Sequence, residues 1–191
     1  MNHFSVAMLV ASKRSGSINR RLAKAIERLA PPEIHFFDVE LYDLPFYDGD
    51  LEANRPESVR LFTKVIAEAD AVSIVSPEFN RSIPAVLKNA IDWGSKPLTE
   101  NIWKDKVIGM TGASPGAIGT GIGQQHLRQI LSILGGFVLP GEAYISFKTP
   151  DMIDDDGIIA DESVENFIRA YVERFYSFIV ALNGNTKTLP D

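Results

Sequence analysis

The chain has 191 residues, 45% hydrophobic and 23% charged, a balance typical of a soluble globular domain that buries roughly two thirds to three quarters of its unfolded surface. A net charge of −6 disfavours nucleic acid, whose phosphates require a basic face, and the lack of cysteine excludes disulfides, thiolate metal sites, cysteine-ligated iron–sulfur clusters and a cysteine nucleophile. No apolar run approaches the roughly 20 residues of a membrane-spanning helix, and Lys13 and Arg14 follow the apolar N-terminus instead of preceding it, so a cytoplasmic protein without a leader is expected.

In chain order, residues 4–10 read as a buried strand, and Leu22, Ala25, Ile26 and Leu29 then recur at helical spacing. A second strand is expected at 34–38, a helix marked by Val59, Phe62 and Ile66 after Pro56, and a third strand at 71–75. A fourth follows at 106–111, then a helix with Leu127, Ile130, Leu131 and Leu134 on one side. A fifth strand at 137–139 leaves open a continuation to Tyr144. The stripe Val164, Phe167, Ile168, Tyr171, Phe175 and Phe178 marks a long terminal helix packed on the core. Strands alternating with helices predict a parallel sheet with crossover helices. Proline and glycine fall between elements and no linker divides the chain, so residues 1–191 are expected to form one domain. Such a sheet binds its ligand beyond the carboxyl ends of the strands, which directs attention to the loops after strands one, three and four.

The first of these loops, ASKRSGSIN, holds three serines, Arg14, Gly16 and Asn19 and no acid. It enters a helix whose unpaired N–H groups and partial positive charge suit a phosphate. The hydroxyls of Ser12, Ser15 and Ser17 and the amide of Asn19 are candidate donors, Gly16 permits a positive φ, and Arg14 can pair with a dianion. A plain capped turn uses the same residue types. The spacing is neither a Walker A loop, since Ala11 and Ser17 stand where Gly and Lys belong, nor G-x-G-x-x-G.

The second loop lies in SPEFNRSIPAVLKNAIDWGS, where Pro77 has no N–H for a ladder and Ser82 or Ile83 is the expected cap of a helix with Pro84 in its first turn. It offers backbone N–H groups and one aromatic to a flat heterocycle. Taken singly, Phe79 reads as a packed loop aromatic and Glu78 as a solvated acid. The third loop, in TGASPGAIGTGIGQQHLRQI, has five glycines, which either leave room for a ligand against the backbone or make a wide flexible loop. Two further features are read as structural. The acidic stretch DMIDDDGIIADES puts Met152 and Ser163 where a calcium loop needs Asp and Glu, so it is a solvated turn and no metal site is expected. His126, in a helical stretch without an acidic neighbour close in sequence, is expected to be a helix residue with a structural hydrogen bond.

Together, SKRSGSIN, PEFNRSIPAVLKNAIDW and GAIGTGIGQQHLRQIL make the chain, from about Phe4 to Glu142, resemble the NAD(P)H-dependent FMN reductases, flavodoxin-like proteins that include quinone, chromate and azo-dye reductases. The resemblance implies a flavodoxin-like three-layer α/β/α sandwich with a five-stranded parallel sheet ordered 2-1-3-4-5. It implies an FMN whose phosphate is held by Ser12, Arg14, Ser17, Ile18 and Asn19. The ring would rest on Pro77, Glu78, Phe79 and Asn80, its far edge near Ser114 and Gly116. NAD(P)H would be the co-substrate, the flavin would carry the hydride chemistry without a catalytic side chain, and a quinone, azo compound, free flavin or oxidised metal would be the acceptor. A homodimer or homotetramer is expected on the same ground. Ala11 replaces a usual Gly and Phe79 a usual Tyr. A flavodoxin-type electron carrier that does not oxidise NAD(P)H is the first alternative, and an anion-binding domain without redox function the second. No residue separates NADH from NADPH.

Overall fold

The computed structural model describes residues 3–185. Its elements in chain order are β1 (Phe4–Val10), α1 (Ile18–Leu29), β2 (Ile34–Asp38), α2 (Glu57–Glu68), β3 (Ala71–Val75), α3 (Ala85–Gly94), β4 (Val107–Ser114), α4 (Gly121–Ile133), β5 (Phe137–Val138), β6 (Tyr144–Ser146) and α5 (Glu162–Asn185). The strands pair in parallel in the order β2-β1-β3-β4-β5, the expected flavodoxin-like arrangement. β3 is buried at every position, as a strand covered on both faces must be.

Alternation along β1 assigns the layers. Val6 and Met8 pack with Leu22 and Ile26 of α1 and with Tyr171 and Phe175 of α5. Ala7 and Leu9 face the other way, toward Phe62 and Ile66 of α2, Leu87 and Ile91 of α3, and Leu127 and Leu131 of α4. The helical stripes read from the sequence therefore cover the sheet. Phe167 is the exception: it is 45% exposed, while Val172 joins Ile168, Tyr171 and Phe175 in the core.

The fifth strand is not continuous. β5 ends at Val138, opposite Ile108 of β4, and β6 resumes with Tyr144 opposite Gly112, so four steps along β4 face six on its neighbour. The two surplus residues fall at Pro140, which has no N–H to donate, and Gly141, which turns with φ 85°. β4 accordingly runs to Ser114 rather than to Thr111, because its last three residues pair with β6. At the other correction, α3 starts at Ala85 with Pro84 at the capping position, and the Ser82 hydroxyl is used elsewhere.

Register brings the loops to one edge. Val10 pairs with Val75, Val75 with Thr111 and Ser114 with Ser146, so β1, β3, β4 and β6 all deliver their exits to the same side of the sheet.

Candidate functional site

The β1–α1 loop is built around Ser17, which caps α1. Its hydroxyl donates to Ser12 Oγ at 2.8 Å and accepts the Arg20 amide at 3.3 Å. The amides of Ile18 and Asn19 lie in the first turn, and neither has an acceptor among the described residues. Gly16 turns the chain into the helix with φ 67°. The Arg14 side chain is exposed, with no hydrogen-bond or ion-pair partner among the described residues. Beside it, Lys13 lies 5.2 Å above the Tyr42 ring, whose phenol burial holds above its ordinary range despite the nearby Arg20 guanidinium.

Asn19 does something the composition did not reveal. Its side chain is buried and grips the backbone of Ala113, donating Nδ2–H to the carbonyl and accepting the amide proton, both at 2.9 Å. It locks the start of α1 to the end of β4, and contributes its backbone amide, rather than this side-chain pair, to the open end of the helix.

The β3–α3 loop is a tight hairpin. Phe79 and Ser82 exchange two backbone bonds of 2.9 Å across Asn80 and Arg81. Both single-residue expectations here fail. Phe79 is 57% exposed rather than packed, and the Glu78 side chain is only 10% exposed. Its carboxylate accepts the Gly123 amide at 2.8 Å, capping the first turn of α4, and stands 3.7 Å from the Arg81 guanidinium.

These loops enclose a cavity of about 500 Å³, within the range of small-molecule sites. Of the residues expected at the site, Ser12, Arg14, Ser17, Ile18, Asn19, Pro77, Glu78, Phe79 and Ser114 line it, whereas Asn80 and Gly116 are outside its wall. Ser15 is outside it as well. The wall also contains residues that the sequence reading missed: Arg21, Pro115 and the β6 exit Phe147, Lys148, Thr149 and Pro150. Arg21 donates to Asp155 at 2.7 Å and to the Pro150 carbonyl at 2.6 Å, so it ties the β6 exit to α1. The signal available was Pro140 followed by Gly141, which marks a break in the fifth strand but does not show that pairing resumes at Tyr144. His126 lies in hydrogen-bond contact with Ser82 of the β3–α3 loop at 2.8 Å, in keeping with the structural hydrogen bond expected of it. The acidic turn holds no group of metal-ligating side chains among the described residues.

Residues 4–150 match the family described as NADPH-dependent FMN reductase. The chain belongs to that family. It is 38% identical to the 2-hydroxy-1,4-benzoquinone reductase of Burkholderia sp. over 175 residues, covering 91% of this chain and 95% of that protein. It is 41% identical to a quinone reductase of Pseudomonas putida over 180 residues, covering 92% and 95%. Among solved structures, the flavoenzyme NAD(P)H:(acceptor) oxidoreductase FerB of Paracoccus denitrificans superposes with a TM-score of 0.88 at 37% identity, covering 93% of this chain and 98% of that one. The protein is thus an NAD(P)H-dependent oxidoreductase with FMN and NAD(P)H as its cofactors, and the electron-carrier and non-redox alternatives are set aside. The residues present fit FMN: two helix amides and a guanidinium without partners among the described residues, together with a serine pair, suit its phosphate, and the cavity continues from them to Pro77–Phe79 and Ser114.

Proposed function

We propose that this FMN reductase-family enzyme is an NAD(P)H:quinone oxidoreductase, acting in the cytoplasm as a homodimer or homotetramer. Ser12, Arg14, Ser17 and the amides of Ile18 and Asn19 hold the FMN phosphate. Pro77, Glu78 and Phe79 support the ring, with Ser114 toward its far edge; Asn80 and Gly116, outside the wall, shape the loops that carry these residues. The observation that carries this reading is the single cavity in which the acid-free helix entry, with its unpaired amides and Arg14, meets the two loops after β3 and β4. When bound there, FMN would supply the redox chemistry between the nicotinamide and the acceptor.

The residues around it bind and orient. Arg14 neutralises the phosphate, and the Asn19 clamp keeps the β4 loop level with the helix entry. Glu78 is engaged by Gly123, and the site needs no nucleophile. The exposed Phe79 ring offers an apolar face to a planar acceptor, and the names of the relatives support a quinone as that acceptor. Among the described residues no helix is long and apolar enough to cross a membrane.

Anaerobic mixing of the purified yellow protein with NADH and with NADPH, followed by 1,4-benzoquinone, tests the reading. Bleaching of the flavin by either nucleotide and its recovery on quinone addition are expected. A colourless protein that does not take up FMN, or a flavin that stays oxidised with both nucleotides, would overturn it.

A further inference from the structure

The Phe79 hairpin is held by contacts that its own burial does not provide. Its turn residues, Asn80 and Arg81, have φ of 51° and 65°, a left-handed pair that non-glycine residues keep only when their surroundings enforce it. Asn80 and Arg81 are exposed and Phe79 is 57% exposed, so apolar packing is not what enforces it. The fastening comes from α4. Ser82 Oγ lies 2.8 Å from His126 Nδ1, one residue past the turn, and the Glu78 carboxylate takes the Gly123 amide at 2.8 Å just before it. The hairpin sits so close that a Cβ at position 123 would stand 3.2 Å from the Ser82 carbonyl oxygen and 3.3 Å from Glu78 Cγ. Glu78 belongs to the cavity wall, whereas Ser82 and His126 do not.

We propose that His126 is a positioning residue of the active site, acting through Ser82 to hold the Phe79 hairpin against α4 in the geometry that walls the cavity. The inference rests on the cavity being the site of FMN and acceptor. His126 does not line that cavity. Its removal frees the turn to leave the left-handed pair and displaces Phe79, which weakens acceptor binding and leaves the chemistry of the flavin unaltered. An asparagine at 126 has an amide oxygen at nearly the distance of Nδ1 along the side chain and can accept the Ser82 hydroxyl proton, so it preserves the link.

The test uses the FMN-loaded full chain with His126→Ala, Ser82→Ala, the double variant and His126→Asn. Two readouts are taken: hydrogen exchange at the Phe79 and Ser82 amides, which close the turn, and steady-state reduction of 1,4-benzoquinone. Loss of one exposed hydrogen bond is expected to speed exchange at both amides by about threefold to tenfold and to raise KM by a similar factor with kcat held. The double variant should be no worse than either single one, and His126→Asn should return both readouts toward the parent. Unchanged exchange in His126→Ala, alanine effects that add, or a fall in kcat alone would overturn the proposal. If the parent protein fails to reduce the quinone, the functional reading falls, while the exchange pattern still decides whether His126 holds the hairpin.

Discussion

Arg14, in the β1–α1 loop, and Asn19, in the first turn of α1, stand five residues apart and do different work. Arg14 has no partner among the described residues and lines the cavity, so Arg14→Ala should leave the apoprotein's urea midpoint unchanged. It should weaken FMN binding by about 1.5–3 kcal/mol, the range for a charge-assisted hydrogen bond, read by flavin fluorescence titration. Asn19→Ala acts the other way round. It strands the buried amide and carbonyl of Ala113, costing on the order of 1–3 kcal/mol for each unsatisfied group, and should lower the urea midpoint even without FMN. The composition of the loop pointed to both residues as phosphate donors. It contained nothing about Ala113, which lies 94 residues further along the chain.

At the scale of elements, α5 is started by Asp161. Its carboxylate accepts the Ser163 hydroxyl and the amides of Ser163 and Val164, and these bonds, the hydroxyl foremost, hold its pKa below the ordinary 3.8. A lowered folded value means that the unfolded chain takes up the proton first. The cap's contribution is therefore complete above 3.8 and disappears as pH falls through the folded value. Asp161→Ala should lower the melting temperature at pH 7, and the gap from the parent should close as the pH is taken below 3.8. The helix itself was legible because its apolar stripe repeats locally. The split of the fifth strand into β5 and β6 was not, since it depends on which residues of β4 lie opposite Pro140 and Gly141. That same split delivers Phe147–Pro150 to the cavity, which explains why one wall of the site was missed.

For the whole molecule, binding and folding are linked. A ligand at about 100 times its Kd adds about 2.7 kcal/mol to stability, so FMN should raise the melting temperature of the apoprotein, and Arg14→Ala should blunt the rise. Phe175→Ala, in the fully buried layer between α5 and the sheet, should cost about 3–5 kcal/mol in urea unfolding while leaving FMN affinity nearly intact, because that layer does not line the cavity. The sequence by itself determined the alternation of strands and helices, through short apolar runs and stripes at helical spacing, and the chemistry of the helix entry, through a run of small hydroxyl residues free of acid. Only the tertiary structure decided that Glu78 caps α4, that Asn19 clamps β4, that Phe79 stands in the open and that the β6 exit closes the site. The division has a physical cause: periodicity and loop composition act between near neighbours in the chain, whereas each of these contacts depends on strand register and layer packing, which the whole chain sets together.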